Sequence, residues 1–172
     1  MTETIGELVA RGYRARSENR FADSRAAFLE AVRKAAIESD RPSLAESFCG
    51  LAQAERDIGN PEAASHHYAN AAVLYRELKQ PERLAYATRH EADILRESLR
   101  ISEAEPLYLE AEKILREEAQ KHPAPGGKGM RGGVMGGPPG LELHRSIREL
   151  QEQIQQLRKE VGELRELLQR KQ

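Results

Sequence analysis

Small, aliphatic and aromatic residues of matched size return every forty positions along the first two thirds of the chain. Residues 19–31 read NRFADSRAAFLEA, residues 59–71 read GNPEAASHHYANA and residues 99–111 read LRISEAEPLYLEA. Small residues stand at Ser24, Ala64 and Ala104, aromatics at Phe28, Tyr68 and Tyr108, and alanines at Ala31, Ala71 and Ala111. Upstream, Gly12, Ala52 and Ala92 keep the same offset, as do Leu44 and Leu84. A repeat of this length predicts a solenoid, in which each unit buries its apolar face only against its neighbours.

Each unit reads as two helices. Thr4 with Glu7, Ser43 with Glu46 and Ser102 with Glu105 have capping-box spacing, in which both side chains satisfy free backbone donors. Asn60 before Pro61 reads as an N-cap followed by proline in the first helical position, and Pro81 fits the same role. Pro106 falls in a first turn, where it removes at most one helical hydrogen bond. The expectation is six helices at roughly 4–18, 21–38, 43–58, 61–78, 81–98 and 103–119.

With these residues in place, the chain resembles the tetratricopeptide repeat family over residues 4–119. Gly12, Ser24, Phe28 and Ala31 match the family's packing positions in the first repeat. Ala52, Gly59, Ala64, Tyr68 and Ala71 match them in the second, and Ala92, Ala104, Tyr108 and Ala111 in the third. The forty-residue period is similar to that of its longer-helix members of the kinesin light chain type. The resemblance implies an all-α solenoid over residues 1–120 whose first helices line a concave, peptide-binding side. Its groove positions carry over to Tyr13, Arg16, Gln53, Arg56, Arg89, Asp93 and Arg96. Arg16, Arg56 and Arg96 form a column suited to carboxylates of an acidic partner, unless Asp57 and Glu97 occupy it from within. The carboxylate clamp of chaperone-binding members is not reproduced, since Val9 and Tyr13 replace its Lys and Asn.

The composition changes abruptly after the repeats. Residues 122–140 contain four prolines and eight glycines, and residues 121–140 read as a flexible linker. Beyond it, Ile147, Leu150, Ile154, Leu157, Val161, Leu164 and Leu168 alternate spacings of three and four. That is a heptad seam, and it predicts a coiled-coil helix over residues 141–172 that joins two chains in a parallel dimer. The alternative is a single amphipathic helix that folds back to cover the open end of the third repeat.

Charge and chemistry change this picture little. Charged residues make up 32% of the 172 and the formal net charge is −1, so no global field draws the chain to nucleic acid or membrane. Nucleic-acid binding would lean on the arginine column and the basic linker, but residues 1–120 carry 17 basic and 22 acidic side chains. His66 and His67, adjacent on a helix, point about 100° apart and grip no metal together. The glycine-rich GGKGMRGG at 126–133 lacks the Ser or Thr of a phosphate loop. Lone Cys49 excludes an intrachain disulfide and fits a reducing, cytoplasmic setting. No metal, cofactor or catalytic constellation is implied. The expected function is a non-enzymatic scaffold that binds a peptide or helix and self-associates, so that paired grooves act by avidity. The competing expectation is a regulatory peptide sensor whose solenoid changes curvature on binding.

Overall fold

The computed structural model describes residues 3–121 and 139–169, with the side chains of the last segment described at 148–163, 165 and 166. Seven helices and no strand occur among the described residues: α1 (Ile5–Ser17), α2 (Phe21–Ile37), α3 (Arg41–Ile58), α4 (Pro61–Glu77), α5 (Pro81–Glu97), α6 (Ile101–Lys121) and α7 (Pro139–Gln169). Each helix packs on the next, α1 also touches α3, and α7 lies on α6 as α3 lies on α2 and α5 on α4. The expected linker lies outside the described residues, apart from Lys121 in α6 and the two residues that open α7.

One turn, repeated at twenty-residue intervals, sets the geometry. Asn19, Ser39, Gly59, Lys79 and Leu99 all have positive φ, between 55° and 87°. At each, the residue's own N–H bonds three residues back, and the following N–H bonds five back, as in Asn19 to Arg16 and Arg20 to Ala15. This is the Schellman ending, which satisfies the last carbonyls of a helix and reverses the chain. Only one of the five is glycine, so four carry the strain that a Cβ meets in the left-handed region.

The starts differ from expectation at three helices. Thr4 and Glu7 form the expected capping box, with Thr4 N–H donating to Glu7 Oε2 at 2.7 Å and Glu7 N–H to Thr4 Oγ1 at 3.2 Å. Ser43 is not a cap: α3 begins at Arg41, and Asp40 accepts from Ser43 N–H at 3.1 Å. Ser102 is likewise inside α6, because the preceding turn delivers the chain at Arg100, whose carbonyl accepts from Glu103 and Ala104. Asn60 holds the N-cap position, but its side chain donates to Glu55 at 3.1 Å rather than capping. Pro61 and Pro81 open α4 and α5 as expected.

The repeat aromatics are the core. Phe28 on α2 is fully buried with Leu51 and Ala54 of α3. Tyr68 on α4 clusters with Leu84, Ala87 and Ile94 of α5. Tyr108 on α6 clusters with Leu150, Ile154 and Leu157 of α7. Each second helix is thus sealed by the first helix of the following pair, and α7 seals the last.

A Cβ added at Gly50 would stand 2.2 Å from the Phe28 ring, and one at Gly12 would stand 2.8 Å from it. Gly50→Ala should therefore cost about 1–3 kcal/mol through overpacking. Leu99, at φ 61° and 84% exposed, has no packing to lose. Leu99→Gly should gain about 1 kcal/mol and raise Tm by a few degrees in thermal unfolding.

Candidate functional site

The Schellman turns set α1, α3 and α5 side by side, and side chains link them at recurring offsets. Arg16 donates to Asp57 at 2.5 Å and to Gln53 at 3.0 Å, spanning α1 to α3. One repeat on, Arg56 of α3 pairs with Glu97 of α5. Gln53 in turn donates to the Tyr86 hydroxyl at 3.1 Å. Arg89 pairs with Glu149 of α7 at 3.3 Å, which brings the seventh helix to the same face. Arg96 is half-buried and makes no ion pair among the described residues.

These links join Arg16, Gln53 and Arg56 of the expected groove residues across α1, α3 and α5, but not as a row of free cations. Arg16, Arg56 and Arg89 are each matched by a carboxylate of the next helix on that face. A partner carboxylate would have to displace one of these, and exchange between half-exposed ion pairs gains little. Asp93 accepts from the Tyr108 hydroxyl and lies 3.4 Å from His90 Nδ1. Burial pushes its carboxyl up, yet the bonds with His90 and Tyr108 outweigh that and hold it below the usual range.

Two aromatic rings stay open on the face. Tyr13 is 38% exposed and Tyr86 45%. They border a cavity of about 200 Å³ that Glu46, Cys49, Gln53, Tyr75 and Arg83 also line. Tyr13 rests edge-on against Phe28, with ring centres 5.0 Å apart, and Tyr86 against His90 at 4.3 Å, so both rings are held in place by the repeat core. Glu46 and Tyr86 were not among the expected groove residues. They stand seven positions before Gln53 and Asp93, two helical turns along the same stripe, and that spacing is the signal that finds them.

Other candidates are structural. His67 stacks on Phe48 with ring centres 5.9 Å apart, and burial holds its pKa below the usual value. His66 is exposed. Cys49 is buried, which pushes its thiol up to about 12. No group of three or more potential metal ligands is assembled among the described residues, and no described helix is long and apolar enough to cross a membrane.

The heptad seam is divided. Leu150, Ile154 and Leu157 are at most 4% exposed, in the core they share with α6. Val161 is half-buried, and the side chains of Ile147, Leu164 and Leu168 lie outside the described residues.

Two contrasts are measurable. Glu55 is 2% exposed and accepts from Arg25 at 2.5 Å and from Asn60 at 3.1 Å. Its replacement by Ala should cost about 2–3 kcal/mol, against less than about 1 kcal/mol for Arg56→Ala at the exposed pair, read by urea unfolding. Glu91 stands at the repeat position of buried Leu51, and its carboxyl is pushed up from 4.5 to about 7 by burial and then by Glu110. The folded chain therefore keeps a proton that the unfolded chain releases, so this stabilisation is full below about pH 4.5 and lost as pH rises through about 7. Glu91→Gln should raise Tm at about pH 8 and leave it nearly unchanged at about pH 4.

No family model and no curated protein matches the chain. Among solved structures, BtubC (BKLC) from P. vanneervenii superposes with a TM-score of 0.65 at 11% identity, covering 96% of this chain. The chain spans 64% of the length of that protein. The type III secretion chaperone SycD of Yersinia enterocolitica, solved with a peptide of the translocator YopD, gives 0.54 at 15% identity, covering 89% of this chain and 96% of its own. A Podosopora anserina kinesin light chain with nearly identical TPR-like repeats gives 0.55 at 13% identity, covering 99% of both chains. The fold is therefore the tetratricopeptide-like helical repeat that the sequence resembles.

Proposed function

We propose that the chain is a non-catalytic protein-interaction module that receives an extended partner segment across the face of α1, α3 and α5. The observation that carries this reading is the pair of exposed rings, Tyr13 and Tyr86, bordering a cavity on a face whose other polar groups are largely matched. Fixed aromatic rings bury much area for little loss of side-chain freedom, and such residues anchor interfaces. SycD, which shares the fold, was solved with a bound peptide, and this supports the same use of the fold here.

In this reading α7 is an internal cap. Its residues Leu150, Ile154 and Leu157 are committed to α6, so a coiled-coil dimer through them must first strip the third repeat of its cover. The working form is then a monomer, and the avidity of paired grooves is not required. The paired arginines likewise favour a partner recognised through aromatic and local polar contacts over a broadly acidic one.

Peptides selected from a random display library against the full chain should shift backbone amides of α1, α3 and α5, centred on Tyr13, Gln53 and Tyr86, in NMR titration. Shifts confined to α2, α4 and α6 would oppose the reading. Light scattering at micromolar concentration should give the monomer mass, and a dimer that persists on dilution would restore the coiled-coil assignment.

A further inference from the structure

The cavity between Tyr13 and Tyr86 carries one charge that the fold leaves unmatched. Glu46 is half-buried and makes no ion pair or hydrogen bond among the described residues. Asp57, Asp93 and Glu97 on the same face all have partners. The carboxylate of Glu46 is close enough to Tyr13 to help raise that phenol, after burial, to about 12, so the ring and the charge share one local environment. Among the described residues that line the cavity the cation is Arg83, and it faces Tyr75 rather than Glu46. Its guanidinium carbon lies over the Tyr75 ring, 5.9 Å from the ring centre. The site is therefore dipolar: carboxylate with Tyr13 at one side, guanidinium with Tyr75 at the other. Cys49 and Tyr75, 5% and 3% exposed, lie beneath.

We propose that this cavity is a receptor for a lysine or arginine side chain of the partner segment, with its cation against Glu46 and its stem between the Tyr13 and Tyr86 rings. A half-buried carboxylate left unpaired gains most from an incoming cation, and tyrosine faces attract such a cation through their quadrupole. The volume, about 200 Å³, holds one long side chain and is too small for a folded element. The Tyr86 hydroxyl accepts from Gln53 and keeps its own proton to donate, which fits a backbone carbonyl of the same segment. The proposal deepens the interaction-face reading and rests on it.

The test uses the full chain and an array of acetylated nonapeptides in which the central position is varied in a mixed background. Lysine and arginine at that position should bind at least fivefold more strongly than norleucine or glutamate. Glu46→Gln, with its amide spectrum otherwise unchanged, should erase that preference and leave residual binding, and Glu46→Lys should turn it toward glutamate. A basic preference that survives both substitutions overturns the proposal. Binding that is lost in Tyr13→Ser and Tyr86→Ser but shows no basic preference also overturns it, and leaves the interaction face standing. An array with no binding at any position overturns both.

Discussion

Phe28, Tyr68 and Tyr108 have no closed surroundings within their own helix pairs. Each is completed by the first helix of the next pair: Phe28 by α3, Tyr68 by α5 and Tyr108 by α7. This borrowing of cover is the constraint from which the rest of the structure follows. It needs small residues where the ring presses against a backbone, which is why Gly12 and Gly50 flank Phe28. It also means that the stack has no natural end, so the last aromatic requires a helix that is not part of a repeat.

The same constraint explains the character of the exposed face. Helices delivered by identical turns at twenty-residue intervals lie side by side, and a residue on one meets fixed positions on the next. Arginine reaching forward to an acid forty-one residues later, at Arg16 with Asp57 and at Arg56 with Glu97, is the polar counterpart of the aromatic seal. These pairs tie neighbouring repeats to each other. Tyr13 and Tyr86 keep partly exposed rings on the same face, and Glu46 lines the cavity beside them.

Much of this was legible in the sequence, and the exceptions have physical causes. The period, the aromatic positions and the capping box at Thr4 could be read because they need particular side chains. The Schellman turns could not, because the backbone bonds that define them accept Asn, Ser, Lys or Leu at a cost, and only Gly59 advertises the conformation. Ser43 and Ser102 mimicked caps because the spacing to a following Glu recurs by chance inside helices, while the true start is set by the turn before. The groove positions came from the family resemblance, and charge alone did not say that Arg16, Arg56 and Arg89 are matched by carboxylates. The tail was ambiguous for a deeper reason. A three-and-four spacing of apolar residues describes a helix with one buried stripe, and neither Leu150 nor Leu157 says whether that stripe meets another chain or α6.

Closure of the stack depends on α7 lying on α6 as a first helix lies on the pair before it. Hydrogen exchange of the full chain carrying Leu150→Asp and Leu157→Asp, compared with the unaltered chain, addresses this directly. Loss of the seal should speed exchange at least tenfold through α6 and the C-terminal half of α5, and leave α1 to α3 nearly unchanged, as in a stack held by neighbour contacts. Exchange in α6 that is indifferent to the two aspartates would contradict the account, since Tyr108 would then be closed by something other than its neighbour.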